Sequence, residues 1–215
     1  MKKIVLIGAG GHCKVIIDLI KSKKEFEIIG ILDKESNKDM NKVLDIPIIG
    51  TDSILQDLYN SGVEYAFICV GAINNMNIRN VIMSRLESIG FKFPVLIHRD
   101  AIVSSYSSIE DGTCIMSKAV INPDSTIGRN SIVNTGAIIE HDCRISSNCH
   151  VSPGCILGGN VELGVDTHIG IGSTVSNGVR IGNNVTIGAG SVVVKNIDMD
   201  NVIAFGNPAK IKRYK

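Results

Sequence analysis

Between His141 and His150, ten residues hold two imidazoles and two thiols, His141, Cys143, Cys149 and His150, in the stretch IEHDCRISSNCHVSPG (139–154). Histidine and cysteine at such short spacing suit three chemistries. They could ligate a metal, pair a thiol nucleophile with its base, or supply an imidazole as a general base. Which of these is open depends on where the backbone aims each side chain, and therefore on the period of the surrounding sequence.

That period is six. Stepping by six from Val103 to Val193 meets Val, Ile or Leu every time, and the residues two before each, Ala101 through Ser191, are all small or β-branched. Such a repeat means short stacked strands whose aliphatic side chains fill the centre of a coil. Glycine follows the aliphatic residue at Gly128, Gly158, Gly164, Gly170, Gly182 and Gly188, where a corner needing backbone freedom is expected. Cys143, Cys149 and Cys155 occupy the small slot, so they read as core filler and not as nucleophiles. His150 and His168, eighteen residues apart, take outward slots one coil above the other, about 4.8 Å apart. His141 lies two residues past Ile139, near a corner. A zinc site built from these three histidines is an alternative, although spacings of nine and eighteen supply no close ligand pair.

With three rungs to a coil, the outward positions fall into three columns. One is mostly apolar: Ile102, Val120, Ile138, Ile156, Thr174 and Val192. A second alternates charge at Arg144, Glu162 and Arg180, as a solvated face would, and the third carries Cys114, Ile132, His150, His168 and Thr186. Soluble proteins rarely leave an apolar column bare, so the first is expected to be buried against another copy of the chain.

Residues 1–98 have a different rhythm. KIVLIG, EIIGIL and YAFICV read as strands, HCKVIIDLIKSK, TDSILQDLYN and NIRNVIMSRLESI as helices, and FPVLIH as a last short strand of a small parallel sheet. GAGGHC (8–13) follows a strand and opens a helix, the context in which backbone amides cradle phosphate. As a dinucleotide fingerprint it is imperfect, because Cys13 stands where the third glycine belongs, yet Asp33 lies 23 residues beyond Gly10 near a ribose-holding position. A nicotinamide enzyme and a mere tight turn therefore both remain open.

Composition bounds the partners. The 215 residues carry a net charge of +1, against nucleic-acid binding, and the apolar run at the start is too short for an export or membrane segment. Six cysteines without a CxxC pair suggest free thiols in a cytoplasmic protein. His98 reads as a packed junction residue, and Lys210, Lys212, Arg213 and Lys215 as a solvated basic tail that could meet phosphates.

LIGAGGHCKVIIDLI, INPDSTIGRNSIVNTGAIIEHDCRISSNCHVSPG and GNPAKIK together resemble the sialic acid O-acetyltransferase and nucleotide-4-amino-sugar N-acetyltransferase family of hexapeptide-repeat sugar acyltransferases. The resemblance implies a Rossmann-like nucleotide-sugar-binding domain (1–98) followed by a left-handed parallel β-helix (99–215), assembled as a homotrimer. It implies acetyl-CoA as cosubstrate, no metal, no nucleic acid and no membrane insertion. His141 would be the general base, supported by Asp142 or, failing a turn of the corner, by Glu140, with Asn134 in the active site. Acetyl-CoA contacts carry over to His150, Gly159, Ile171, Gly188 and Ala189. Nucleotide-sugar contacts carry over to Gly10, Gly11, His12, Asp33 and Lys34. Gly71, Asn74 and Arg79, in VGAINNMNIRN after the third strand, are expected to complete the pocket, because loops at that edge are where such sheets bind ligands. The expected reaction is direct N-acetylation of a nucleotide-linked 4-amino-4,6-dideoxy sugar. The alternatives are O-acetylation of a sialic-acid-like sugar and a noncatalytic nucleotide-sugar-binding scaffold.

Overall fold

The computed structural model describes residues 1–34, 41–71 and 76–215. Strand β1 (Lys2–Ile7) is buried from Ile4 to Ile7 because it lies between β2 (Phe26–Leu32) and β5 (Tyr65–Ile68), both parallel to it. β4 (Ile46–Gly50) extends the sheet beyond β2, and β3 (Lys42–Val43) closes the edge as an antiparallel hairpin. Helix α1 (Gly11–Lys23) buries Cys13, Ile16, Ile17, Leu19 and Ile20, and carries Lys21 and Lys23 in its last turn, where the helix dipole favours cations. The TDSILQDLYN segment starts as a 3₁₀ turn over Asp52–Ile54, capped by Thr51, and becomes α2 (Leu55–Asn60). Helix α3 (Asn77–Ile89) ends on Gly90, whose φ of 109° only glycine takes up readily.

The FPVLIH segment does not join this sheet. Its strand β6 (Leu96–Ile97) pairs with Cys114–Ile115 and opens the coil. Ile97 lies six before Val103, so the hexapeptide register itself carried the signal. From there two-residue strands recur every six residues, β7 (Ile102–Val103) through β22 (Val192–Val193), in three parallel sheets. Pairing is between residues eighteen apart, as in Val120↔Ile138↔Ile156 and Ile132↔His150↔His168. The result is a left-handed parallel β-helix of triangular section, its centre filled by the aliphatic series with Cys143, Cys149 and Cys155 among it. A hairpin of β23 (Val202–Gly206) and β24 (Ala209–Tyr214) closes the far end by pairing onto Thr186–Ile187.

The corners work differently from expectation. The left-handed residue comes three after the aliphatic one, at Asp124, Asn130, Asp142, Asn148, Asn160, Asp166 and Asn184 among others, with φ between 51° and 60° or, at Asp142, 61°. Asn and Asp tolerate that conformation best after glycine. The glycines that directly follow the aliphatic residue serve close approach instead: a Cβ on Gly128 would lie 2.6 Å from Ser147 N on the next coil.

Candidate active site

His141 stands on the corner between the apolar column and the charged one, exposed in the single chain. Consecutive residues of an extended strand would face opposite ways. The left-handed φ of Asp142 turns the chain there, and its carboxylate Oδ2 accepts from His141 Nδ1 at 2.7 Å. That bond, with smaller help from the charges of Asp142 and Glu140, holds the imidazole pKa above its ordinary value. It also fixes the tautomer with Nε2 unprotonated in the neutral ring. Gly159, one coil on, leaves the room that the ring occupies, since a Cβ there would be 2.6 Å from His141 Cε1.

Asn134, His150, Ile171, Gly188 and Ala189 meet around one cavity of about 410 Å³ on the third column. Asn134 Oδ1 accepts from Thr135 N at 2.8 Å, which turns its amide nitrogen to His150 Nε2 at 3.1 Å. With Nε2 accepting, the His150 proton sits on Nδ1. His168 stacks on His150 with centroids 5.0 Å apart, and its Nε2 meets Ser152 Oγ at 2.8 Å. Both rings are outward of the prism core yet only 7% and 6% exposed. Farther down the same column Cys114 and Ile132 are sealed against the amino-terminal half, in one apolar cluster with α1. The thiols beside the histidines are sealed too: Cys149 donates to Gly164 O at 3.1 Å, and burial pushes its pKa up to about 12.

His141, Asp142 and Gly159 thus lie on one edge of the apolar column, and Asn134 with the histidine cavity on the other. Within one chain the two groups are parted by Val120, Ile138 and Ile156, the last 43% exposed, with Ile102 of the same column 66% exposed. This separation is invisible to motif spacing, in which His141 and His150 are near neighbours.

At the other candidate site, Gly10 N-caps α1 with no side-chain cap, and the space before Gly10 and Gly11 is open. His12 Nε2 is buried without a partner among the described residues, and desolvation, then the charge of Arg79, lowers its pKa to about 4, so the ring is neutral. A buried imidazole nitrogen left unpaired costs stability unless something polar meets it. Asp33 and Lys34 follow β2 and Gly71 follows β5 on the same carboxyl edge, with Gly71 packed on the His12 side chain. β1 lies between its successor β2 and the later β5, a switch point at which open sheets take ligands. Asn74 lies outside the described residues. Arg79, expected to complete the pocket, is 0% exposed: its two terminal guanidinium nitrogens donate to Ile68 O, Val70 O, Asn130 O and Asn130 Oδ1 and are committed to the protein, while its buried Nε has no partner among the described residues.

A hexapeptide coil with an imidazole–carboxylate pair on one edge and a histidine-lined cavity on the next defines the hexapeptide-repeat acyltransferase class. Residues 3–86 match the PglD N-terminal domain family. The GDP-perosamine N-acetyl transferase of Caulobacter crescentus, solved with CoA and GDP-perosamine, is 36% identical over 99% of this chain and 98% of its own, with a TM-score of 0.92. Variants of that enzyme with a histidine replaced by alanine or asparagine were solved with the same two ligands. The acetyltransferase domain of PglB from Neisseria gonorrhoeae FA1090 is 37% identical over 99% of this chain and 100% of its own, TM-score 0.91. The UDP-N-acetylbacillosamine N-acetyltransferase of Bacillus subtilis (strain 168) is 35% identical over 122 residues, 54% of this chain and 52% of that protein, about half its length. The chain belongs to the nucleotide-amino-sugar N-acetyltransferase family.

Proposed function

We propose that this chain transfers acetyl from acetyl-CoA directly to the amine of a nucleotide-linked 4-amino-4,6-dideoxy sugar, with His141 as general base. The observation that carries the reading is the 2.7 Å bond from His141 Nδ1 to Asp142, which leaves Nε2 to take a proton. The amine nitrogen attacks the thioester carbon, and its proton passes to Nε2 as the new bond forms. Asp142 stabilises the imidazolium that results. Donors on the cavity wall, the Asn134 amide foremost, meet the tetrahedral oxyanion. The C–S bond then breaks and the CoA sulfur recovers the proton from His141. His150, Gly159, Ile171, Gly188 and Ala189 hold acetyl-CoA in this reading. The apolar cavity that four of them line suits a pantetheine arm.

Gly10, Gly11, His12, Asp33, Lys34 and Gly71 take the nucleotide sugar, at a helix N-terminus favouring anions. The relatives solved with CoA and GDP-perosamine support this pairing of substrates. Two domains, the amino-terminal sheet with its helices and the coil that β6 (Leu96–Ile97) opens, divide the work. A homotrimer in the cytoplasm completes the proposal. Packing the apolar column of one copy against the next would bring the His141 edge to a neighbour's His150 cavity, which no arrangement of a single chain achieves. All six cysteines are free and buried, in keeping with a reducing compartment.

The test is CoA release on incubation with acetyl-CoA and a panel of UDP-, GDP- and dTDP-linked 4-amino sugars beside free and activated sialic acids. Turnover confined to amino sugars is expected. Turnover confined to sialic acids, or none with any acceptor, overturns it.

A further inference from the structure

Arg79 is a fully buried cation whose hydrogen bonds all go to carbonyl-type oxygens. An apolar side chain of similar volume would join the two halves without the desolvation penalty of a charge. What a guanidinium adds is direction, because its rigid fork fixes the angle between the groups it binds. One nitrogen holds Ile68 O and Val70 O, at 3.3 and 2.8 Å, where β5 ends; the other holds Asn130 O and Oδ1, at 3.0 and 2.7 Å, on a corner of the coil. Asn130 Nδ2 passes on to Asn148 Oδ1 at 3.1 Å, one coil up. Asn148 Nδ2 in turn holds Met76 O at 2.9 Å, just before α3, and Asp166 Oδ1 at 2.6 Å. Asn80 of α3 reaches the same Asp166 oxygen at 3.0 Å.

Both ends of this ladder touch the two candidate sites. On the amino-terminal side, a Cβ on Gly8 would strike Val70 Cγ2 at 2.8 Å, so the glycine loop rests on the residue that Arg79 holds. On the coil side, Asn148 and Asp166 stand two residues before His150 and His168, the stacked pair of the cavity. The left-handed backbone at Asn130, Asn148 and Asp166 is what lines these side chains up along one edge.

We propose that Arg79 and Asn148 are positioning residues: with Asn130 and Asp166 they form a polar clamp that sets the nucleotide-sugar half at a fixed attitude to the histidine column of the coil. The proposal deepens the acetyltransferase reading and rests on it for its kinetic consequence. Neither residue touches substrate. Each acts by fixing where the acceptor amine is presented, and misplacement near 1 Å is enough to slow a reaction about 10²-fold.

Kinetics and hydrogen exchange test it together. In Asn148→Ala and Arg79→Lys, kcat/KM for the nucleotide-linked amino sugar should fall about 10- to 100-fold while KM for acetyl-CoA stays within about twofold. A lower melting temperature with unchanged kcat/KM for the sugar, or equal loss towards both substrates, would reduce the ladder to a packing feature and sink the proposal. Hydrogen exchange on the unaltered protein needs no variant to fold. Amides of α3 and of the coil around Asn148 should open together, in one cooperative unit. Much faster exchange in α3 than in the coil refutes the clamp. Absence of turnover in the unaltered protein would instead refute the acetyltransferase reading, leaving exchange to decide the clamp.

Discussion

Gly159→Ala isolates the geometry of the proposed base without touching its chemistry. The added Cβ would lie 2.6 Å from His141 Cε1 and 2.8 Å from Nε2. Carbon atoms settle at roughly 3.5–4.0 Å, so the ring must retreat by about 1 Å. Among the described residues the exposed imidazole is hydrogen-bonded to Asp142 alone, and a swing of that size lengthens the bond. A misplacement of that order costs about 10²-fold in rate. The pH profile gives a second, independent reading. Asp142 raises the His141 pKa, and the ring serves as a base only when neutral, so activity rises with pH through that raised value. Loss of the bond moves the acid limb to lower pH, as Asp142→Asn should also do. The backbone tolerates alanine, because φ at Gly159 is outside the left-handed region and the bond from Gly178 N to its carbonyl is untouched. Stability should therefore change by no more than about 1 kcal/mol. Initial rates of CoA release between pH 5 and 9, beside a melting curve, measure all three. An alanine variant with full activity and an unmoved acid limb would show that His141 is not the base.

Two further outcomes are expected. Cys149→Ala should keep activity within about twofold, with intersecting initial-rate lines and not the parallel ones of a covalent intermediate, since its buried thiol is no nucleophile; an abolished turnover would contradict direct transfer. Ile156→Glu, which puts a charge in the apolar column, should dissociate the proposed trimer in sedimentation experiments and abolish turnover at low enzyme concentration, and a monomeric yet active variant would exclude a site shared between copies.

The hexapeptide period determined the coil, the register of eighteen, the columns, and hence that Cys143, Cys149 and Cys155 point inward while His150 stacks with His168. Such a pattern is legible because each rung repeats one local backbone geometry, so residue type at a given phase reports side-chain direction. The Gly8–Cys13 loop was readable for the same local reason, as a turn between a strand and a helix. The support of His141 by Asp142 was only half readable: the choice between Asp142 and Glu140 turned on a left-handed φ, although Asn, Asp or Gly recurring at the same phase hinted at it. Arg79 shows what sequence could not decide. Its place after a strand suggested a ligand contact, but its partner Asn130 is 51 residues away on the coil, and only the docking of the two halves reveals that both terminal nitrogens of its guanidinium are already bonded within the protein. The parting of His141 from the His150 cavity is likewise a property of the closed triangle. Nine residues of chain place the two histidines close in sequence, and the turn of the coil between them carries them round to different edges.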